Sequence, residues 1–142
     1  MNKYLIDTNI LSEPLKLKPN ENVIAKMQLH FADLAIASVT WHEILYGCYR
    51  LPPSKKRDRI EQYLKELVLP SFPILDYTAE AAEWQARERQ RLTSVGKTPT
   101  YADGQIAAIA STNTLILVTN NTSDFANFNN LRLENWFTDR QN

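Results

Sequence analysis

Short apolar runs alternate with longer segments of helical periodicity along this chain. The runs Lys3–Ile6, Leu34–Ser38, Phe72–Leu75, Leu115–Val118 and Leu131–Leu133 are too short for helices and predict strands. Between them, Asn20–Phe31 places Val23, Ile24, Met27 and Phe31 at helical spacing. Val39–Arg50 carries Ile44, Leu45 and Cys48 on one stripe and is closed by Pro52-Pro53. Ser54–Leu69 turns Ile60, Tyr63, Leu64 and Leu67 inward. Thr78–Val95 is a long helix with Gly96 just past its end, as a C-cap requires. Tyr101–Ser111 is an Ala-rich helix, and Asn9–Leu15 and Asp124–Phe128 are short helical pieces. Strands separated by helical crossovers imply βαβ units. The predicted fold is α/β, a mostly parallel central sheet of about five short strands with helices on both faces. Continuous apolar strands such as Leu115-Ile116-Leu117-Val118 suit a sheet buried on both sides. In such sheets, sites lie outside the carboxyl ends of the strands, where the chain changes direction.

Composition narrows the chemistry. A chain of 142 residues, 44% hydrophobic and 23% charged, supports one core. Sixteen basic residues balance sixteen acidic ones, so no global field draws the chain to nucleic acid or anionic lipid. A nucleic-acid role must rest on local charge or on a bound cation. Three dispersed glycines exclude a dinucleotide turn or a Walker loop. The lone Cys48 excludes an intrachain disulfide and multi-cysteine metal sites, and it fits a cytoplasmic address. His42-Glu43-Ile44-Leu45-Tyr46 begins like a zincin motif but has Tyr where the second ligand belongs. No apolar stretch approaches the ~18 residues of a membrane span, and Tyr4-Leu5-Ile6 is too short for a signal core.

The candidate chemistry is acidic. Asp7 follows the first strand, Glu43 lies shortly after the second, Asp103 opens the Ala-rich helix and Asp124 follows the fourth strand. Each of the last three also fits a helix cap, in Thr40-x-x-Glu43, Thr100-x-x-Asp103 and Asn121-x-x-Asp124. Nothing about a strand end calls for Asp7. Caps would serve helices anywhere, whereas these acids belong to one rim of one sheet. Converging carboxylates repel, and one takes up a proton unless a cation sits among them. Mg²⁺ and Mn²⁺ suit such oxygen ligands, and a metal there can polarise a phosphoryl oxygen and activate water. Thr8, Asn9, Ser38, Thr119 and Asn121 can orient the carboxylates or metal-bound waters; each also fits an ordinary strand-end turn.

Five segments, Ile6-Asp7-Thr8-Asn9, residues 38–47, residues 103–110, residues 117–125 and residues 131–136, run in register over nearly the whole chain. Together they resemble the PIN-domain ribonucleases, specifically the VapC toxins of type II toxin–antitoxin modules. The resemblance implies a PIN-like domain over 1–137 with a tail at 138–142. It implies a Mg²⁺- or Mn²⁺-dependent endoribonuclease, acting on RNA as a homodimer, neutralised by a cognate antitoxin and not membrane-bound. By position it makes Asp7, Glu43 and Asp103 the catalytic, metal-holding acids and Asp124 the fourth, which can act through a metal-bound water. Gly104 beside Asp103 departs from helix preference; it either permits close backbone approach or loosens the turn.

Other features are weaker. Lys55–Arg59 and the Arg87/Arg89/Arg91 series read as solvated helix faces before they read as RNA contacts, with Glu83–Arg87 spaced for pairing. Trp41, Tyr46, Tyr49 and Trp84 fit core or interface before base stacking. His42 points about 100° away from Glu43 on a helix. A receiver-like signalling domain with Asp76 as phosphoacceptor lacks its paired acids and its lysine. A DxDxT phosphatase fails at Asn9 and Leu11. A non-catalytic binding module would not need the intact acid set.

Overall fold

The computed structural model describes residues 1–138; residues 139–142 of the predicted tail lie outside the described residues. The strands are β1 (Tyr4–Ile6), β2 (Leu34–Ala37), β3 (Ile74–Leu75), β4 (Ile116–Val118) and β5 (Leu133–Glu134). The helices are α1 (Thr8–Leu11), α2 (Glu21–Leu29), α3 (Ser38–Tyr49), α4 (Lys55–Gln62), α5 (Leu69–Ser71), α6 (Ala79–Ser94), α7 (Tyr101–Thr112) and α8 (Thr122–Phe125). All pairings are parallel, in the order β3-β2-β1-β4-β5. A receiver-type sheet would run 2-1-3-4-5, so the topology removes that alternative. The chain builds outward from β1 on one side, then crosses to β4 on the other. The switch point therefore lies between the carboxyl ends of β1 and β4, in register at Ile6 and Val118.

Alternation along the strands feeds two cores. Tyr4, Ile6, Leu34, Ile36, Ile116 and Val118 face a cluster with Ile10, Leu11, Val23, Ile44 and Leu64. Leu5, Ala35, Ala37, Leu115 and Leu117 face the other, where Ala107, Ala108 and Ala110 of α7 pack. Alanines on both sides of that contact let α7 lie close to β2. No helix among the described residues is long and apolar enough to cross a membrane.

Three local expectations change. The predicted helix Ser54–Leu69 is interrupted by a π-helical stretch, Tyr63–Val68, in which the Leu69 N–H reaches back to the Leu64 carbonyl. Pro70 would clash with a carbonyl four residues earlier, and a widened turn relieves that. The extra residue rotates the face, so Val68 is buried and Leu67 is exposed. The last strand starts two residues late, at Leu133, after a turn with Asn130 at φ 60°. Tyr46 and Tyr49 are exposed, with the guanidinium groups of Arg50 and Arg57 over their rings.

Candidate active site

Asp7 leaves β1 at the switch point and is buried. Its backbone N–H donates to the Val118 carbonyl at 2.9 Å, which extends the sheet by one bond. Its carboxylate accepts the Thr8 N–H at 2.8 Å, so it caps α1 after all. The other oxygen accepts the Thr119 hydroxyl at 2.9 Å and the Asn9 amide at 3.3 Å. Thr119, buried beyond β4, also accepts the Asn121 N–H at 3.0 Å. Asn9 in turn accepts the Asn120 N–H at 2.9 Å, and the Asn135 amide donates to the Asn120 side chain at 3.4 Å. Every donor to the Asp7 carboxylate is neutral. Asn120 and Asn135 were not foreseen, although three asparagines near the ends of β4 and β5 are a compositional signal for such a network.

Glu43 sits differently from its sequence expectation. Helix α3 opens directly at Ser38, with Ala37 as its N-cap and no side-chain cap bond. Thr40 is therefore inside the helix, and Glu43 is in the second turn rather than capping the first. A strand that feeds straight into a helix leaves no loop for a capping box. Asn121 likewise makes no side-chain cap to α8, although Asp124 does lie in its first turn. Only Thr100 caps as its spacing suggests, accepting the Asp103 N–H at 3.2 Å. The Ser38 and Asn121 side chains make no hydrogen bond among the described residues.

The four acids share one electrostatic environment. The Glu43 carboxyl is pushed above its usual range, first by loss of hydration, then by the negative charges of Asp7 and Asp103, with His42 opposing. Asp103 is also raised, first by loss of hydration; the Thr100 hydroxyl works against this, and Asp124 and Asp7 add to it. These repulsions link Glu43 to Asp7 and Asp103, and Asp103 to Asp7 and Asp124. As placed, no three His, Cys, Asp or Glu side chains among the described residues are gathered tightly enough to hold a metal ion. The donor set nevertheless fits a hard cation that keeps part of its water shell. Two hydroxyls near these acids in the chain, Thr8 Oγ1 next to Asp7 and Thr40 Oγ1 three residues before Glu43, are buried with no hydrogen-bond partner. His42 is exposed and stacks on Tyr46 at 6.2 Å.

Gly104 settles the choice left open by the sequence. A Cβ there would strike the side-chain amide of Gln85. Gln85 is buried between α6 and α7, donating to the Tyr101 carbonyl at 3.0 Å and accepting the Tyr77 hydroxyl at 2.6 Å. The glycine allows the helices to approach and so fixes the turn that presents Asp103.

Comparison with known proteins agrees with this fold. The PIN domain family matches residues 4–131. The chain is 35% identical to toxin FitB of Neisseria gonorrhoeae over 85% of this chain and 89% of that protein. It is 34% identical to the tRNA(fMet)-specific endonuclease VapC of Shigella flexneri over 96% of this chain and 99% of that one. Among solved structures, FitAB bound to the IR36 DNA fragment matches with a TM-score of 0.89 and 29% identity, covering 97% of this chain and 98% of that one. DNA-bound VapBC from Salmonella typhimurium matches at 0.83 and 29% identity, covering 96% and 99%.

Proposed function

Because the chain belongs to the PIN domain family, we propose that it is a divalent-metal-dependent endoribonuclease, the toxin of a toxin–antitoxin pair. Nucleases of this family generally depend on divalent metal. The observation that carries the reading is Asp7 at the β1/β4 switch point, its carboxylate held by neutral donors rather than by a cation, within the electrostatic reach of Glu43 and Asp103, with Asp124 acting on Asp103. Asp7, Glu43, Asp103 and Asp124 would hold Mg²⁺ or Mn²⁺. Such an ion, when bound, polarises a phosphoryl oxygen and makes a water nucleophilic near neutral pH.

The chain's own residues then have separable tasks. Asp7, restrained by Thr8 N–H and the Thr119 hydroxyl, offers a carboxylate that cannot swing away. Asn9 and Thr119 hold the second Asp7 oxygen, and Asn121 braces Thr119 through its backbone N–H. Glu43 and Asp103 retain protons more readily than ordinary carboxyls, so cation binding displaces protons from them. Relatives named as VapC ribonucleases, and structural neighbours that are VapBC and FitAB complexes, support RNA as substrate and an antitoxin as partner. We also infer a homodimer that acts in the cytoplasm.

The deciding experiment incubates the purified protein with structured RNA and Mn²⁺, with and without chelator, beside Asp7→Asn. Cleavage that needs the metal and is lost in the variant, with folding retained by circular dichroism, is the expected result. Cleavage by Asp7→Asn at the wild-type rate overturns the assignment of that residue.

A further inference from the structure

We propose that Lys97 grips the RNA backbone beside the cleavage point, as a phosphate-binding residue of the substrate groove. This rests on the nuclease reading above and adds a residue to it. A cleft of about 340 Å³ lies between the end of α6, the 97–100 loop and α8. It is lined by Asp103 and Asp124, by the Thr98 and Ser123 hydroxyls, and by Lys97, its one cation among the described residues.

The backbone of Lys97 is held firmly. Gly96 takes φ 72°, its N–H donates to the Thr93 carbonyl at 3.1 Å, and the Lys97 N–H donates to the Leu92 carbonyl at 2.8 Å. This is a Schellman motif, whose second residue past the cap usually makes an apolar contact back onto the helix. Here that position carries an exposed lysine beside two acids. The neighbouring cations are occupied: Arg87 pairs with Glu83, Arg91 with Glu88, and Arg89 lies over the Tyr101 ring. Lys97 makes no ion pair among the described residues.

Charge balance gives it a task. One divalent ion offsets two of the four carboxylate charges, so an arriving phosphodiester still meets a negative field. A lysine at the cleft wall offsets part of the remainder, and as a point charge it accepts a phosphate from several directions.

The test measures binding of a labelled single-stranded RNA by anisotropy in chelator, over a series of salt concentrations, for wild type, Lys97→Gln and Lys97→Arg. KM and kcat with Mn²⁺ are measured in parallel. Lys97→Gln should raise Kd and KM by about fivefold and lower the slope of log affinity against log salt by about 0.7, with kcat little changed. Lys97→Arg should restore both. Unchanged affinity and slope in Lys97→Gln overturn the proposal, as does a loss confined to kcat or an Arg variant as weak as Gln. Wild type that binds RNA without cleaving it sinks the nuclease reading, while the salt slope still decides Lys97. Wild type that does not bind RNA sinks both.

Discussion

Glu13, under the turn after α1, and Glu88, on the inner face of α6, each come with their own cation. Glu13 pairs with Lys16 at 2.8 Å and accepts the Asn20 N–H at 2.7 Å. Glu88 meets Arg91 through two bonds of 2.9 Å and accepts the Asn129 N–H at 2.7 Å. For Glu13, burial alone would raise the pKa, but Lys16 and the Asn20 N–H outweigh it; for Glu88, the Arg91 bonds dominate. Both carboxyls lie below their ordinary range. At the β1/β4 rim, Glu43 and Asp103 are raised instead. The same side-chain chemistry thus serves two ends. Where the fold needs an anion it supplies a partner, and at the rim it withholds one. Acids left without a partner at the rim are what the proposed metal site, filled from solution, calls for.

The comparison can be broken most sharply at Asp7. Asp7→Asn should lower Mn²⁺-dependent RNA cleavage by roughly a hundredfold or more, while its thermal midpoint stays near wild type. A collapse of the fold would instead make Asp7 a structural acid like Glu13. Glu13→Gln should cost about 1–3 kcal/mol in urea unfolding, because a buried acceptor and its ion pair are weakened together, with cleavage retained at permissive temperature. Gly104→Ala should cost a similar ~1–3 kcal/mol by overpacking against Gln85, and a wild-type melting curve would deny the close approach.

Acidity separates the two groups more gently. Glu13 and Glu88, depressed in the fold, contribute stability above their unfolded pKa near 4.5 and lose it as pH falls through the folded values. Glu43 and Asp103, raised in the fold, cost nothing in acid and destabilise increasingly as pH rises through theirs. Mn²⁺ should therefore raise the melting temperature more at about pH 7 than at about pH 5, and chelator should abolish the difference. An equal rise at both would detach the cation from these acids. The smallest effect expected is Glu43→Gln, which should stabilise the metal-free protein by less than about 1 kcal/mol, since the residue is exposed and screened.

Short apolar runs and helical periodicity locate the five strands and the long helices, although β3 and β5 each start two residues later than their runs. The rim acids were legible for the same reason: strand ends predict where a parallel sheet presents polar groups. Capping patterns misled. Thr40-x-x-Glu43 reads as a box only if a loop precedes the helix, and Ser38 follows β2 with none. The sequence offers Asp7 no structural task because the short helix is predicted to start at Asn9; it starts at Thr8, and Asp7 caps it. The π turn at Tyr63–Val68 depends on how Pro70 fits the preceding carbonyls, and the tie between Gly104 and Gln85 on helix packing. Neither leaves a periodic trace.

The hydrogen bond from Thr119 to Asp7 spans 112 residues of chain, and β4 is an inner strand of the sheet, between β1 and β5. A polypeptide still growing from the ribosome carries Asp7 and Glu43 early, but lacks Asp103, Thr119 and Asp124 until its last third has been made. The machinery that synthesises this protein is itself built on RNA, and by the proposed reading the acids meant to cut RNA stay apart until Asp103, Thr119 and Asp124 have all emerged.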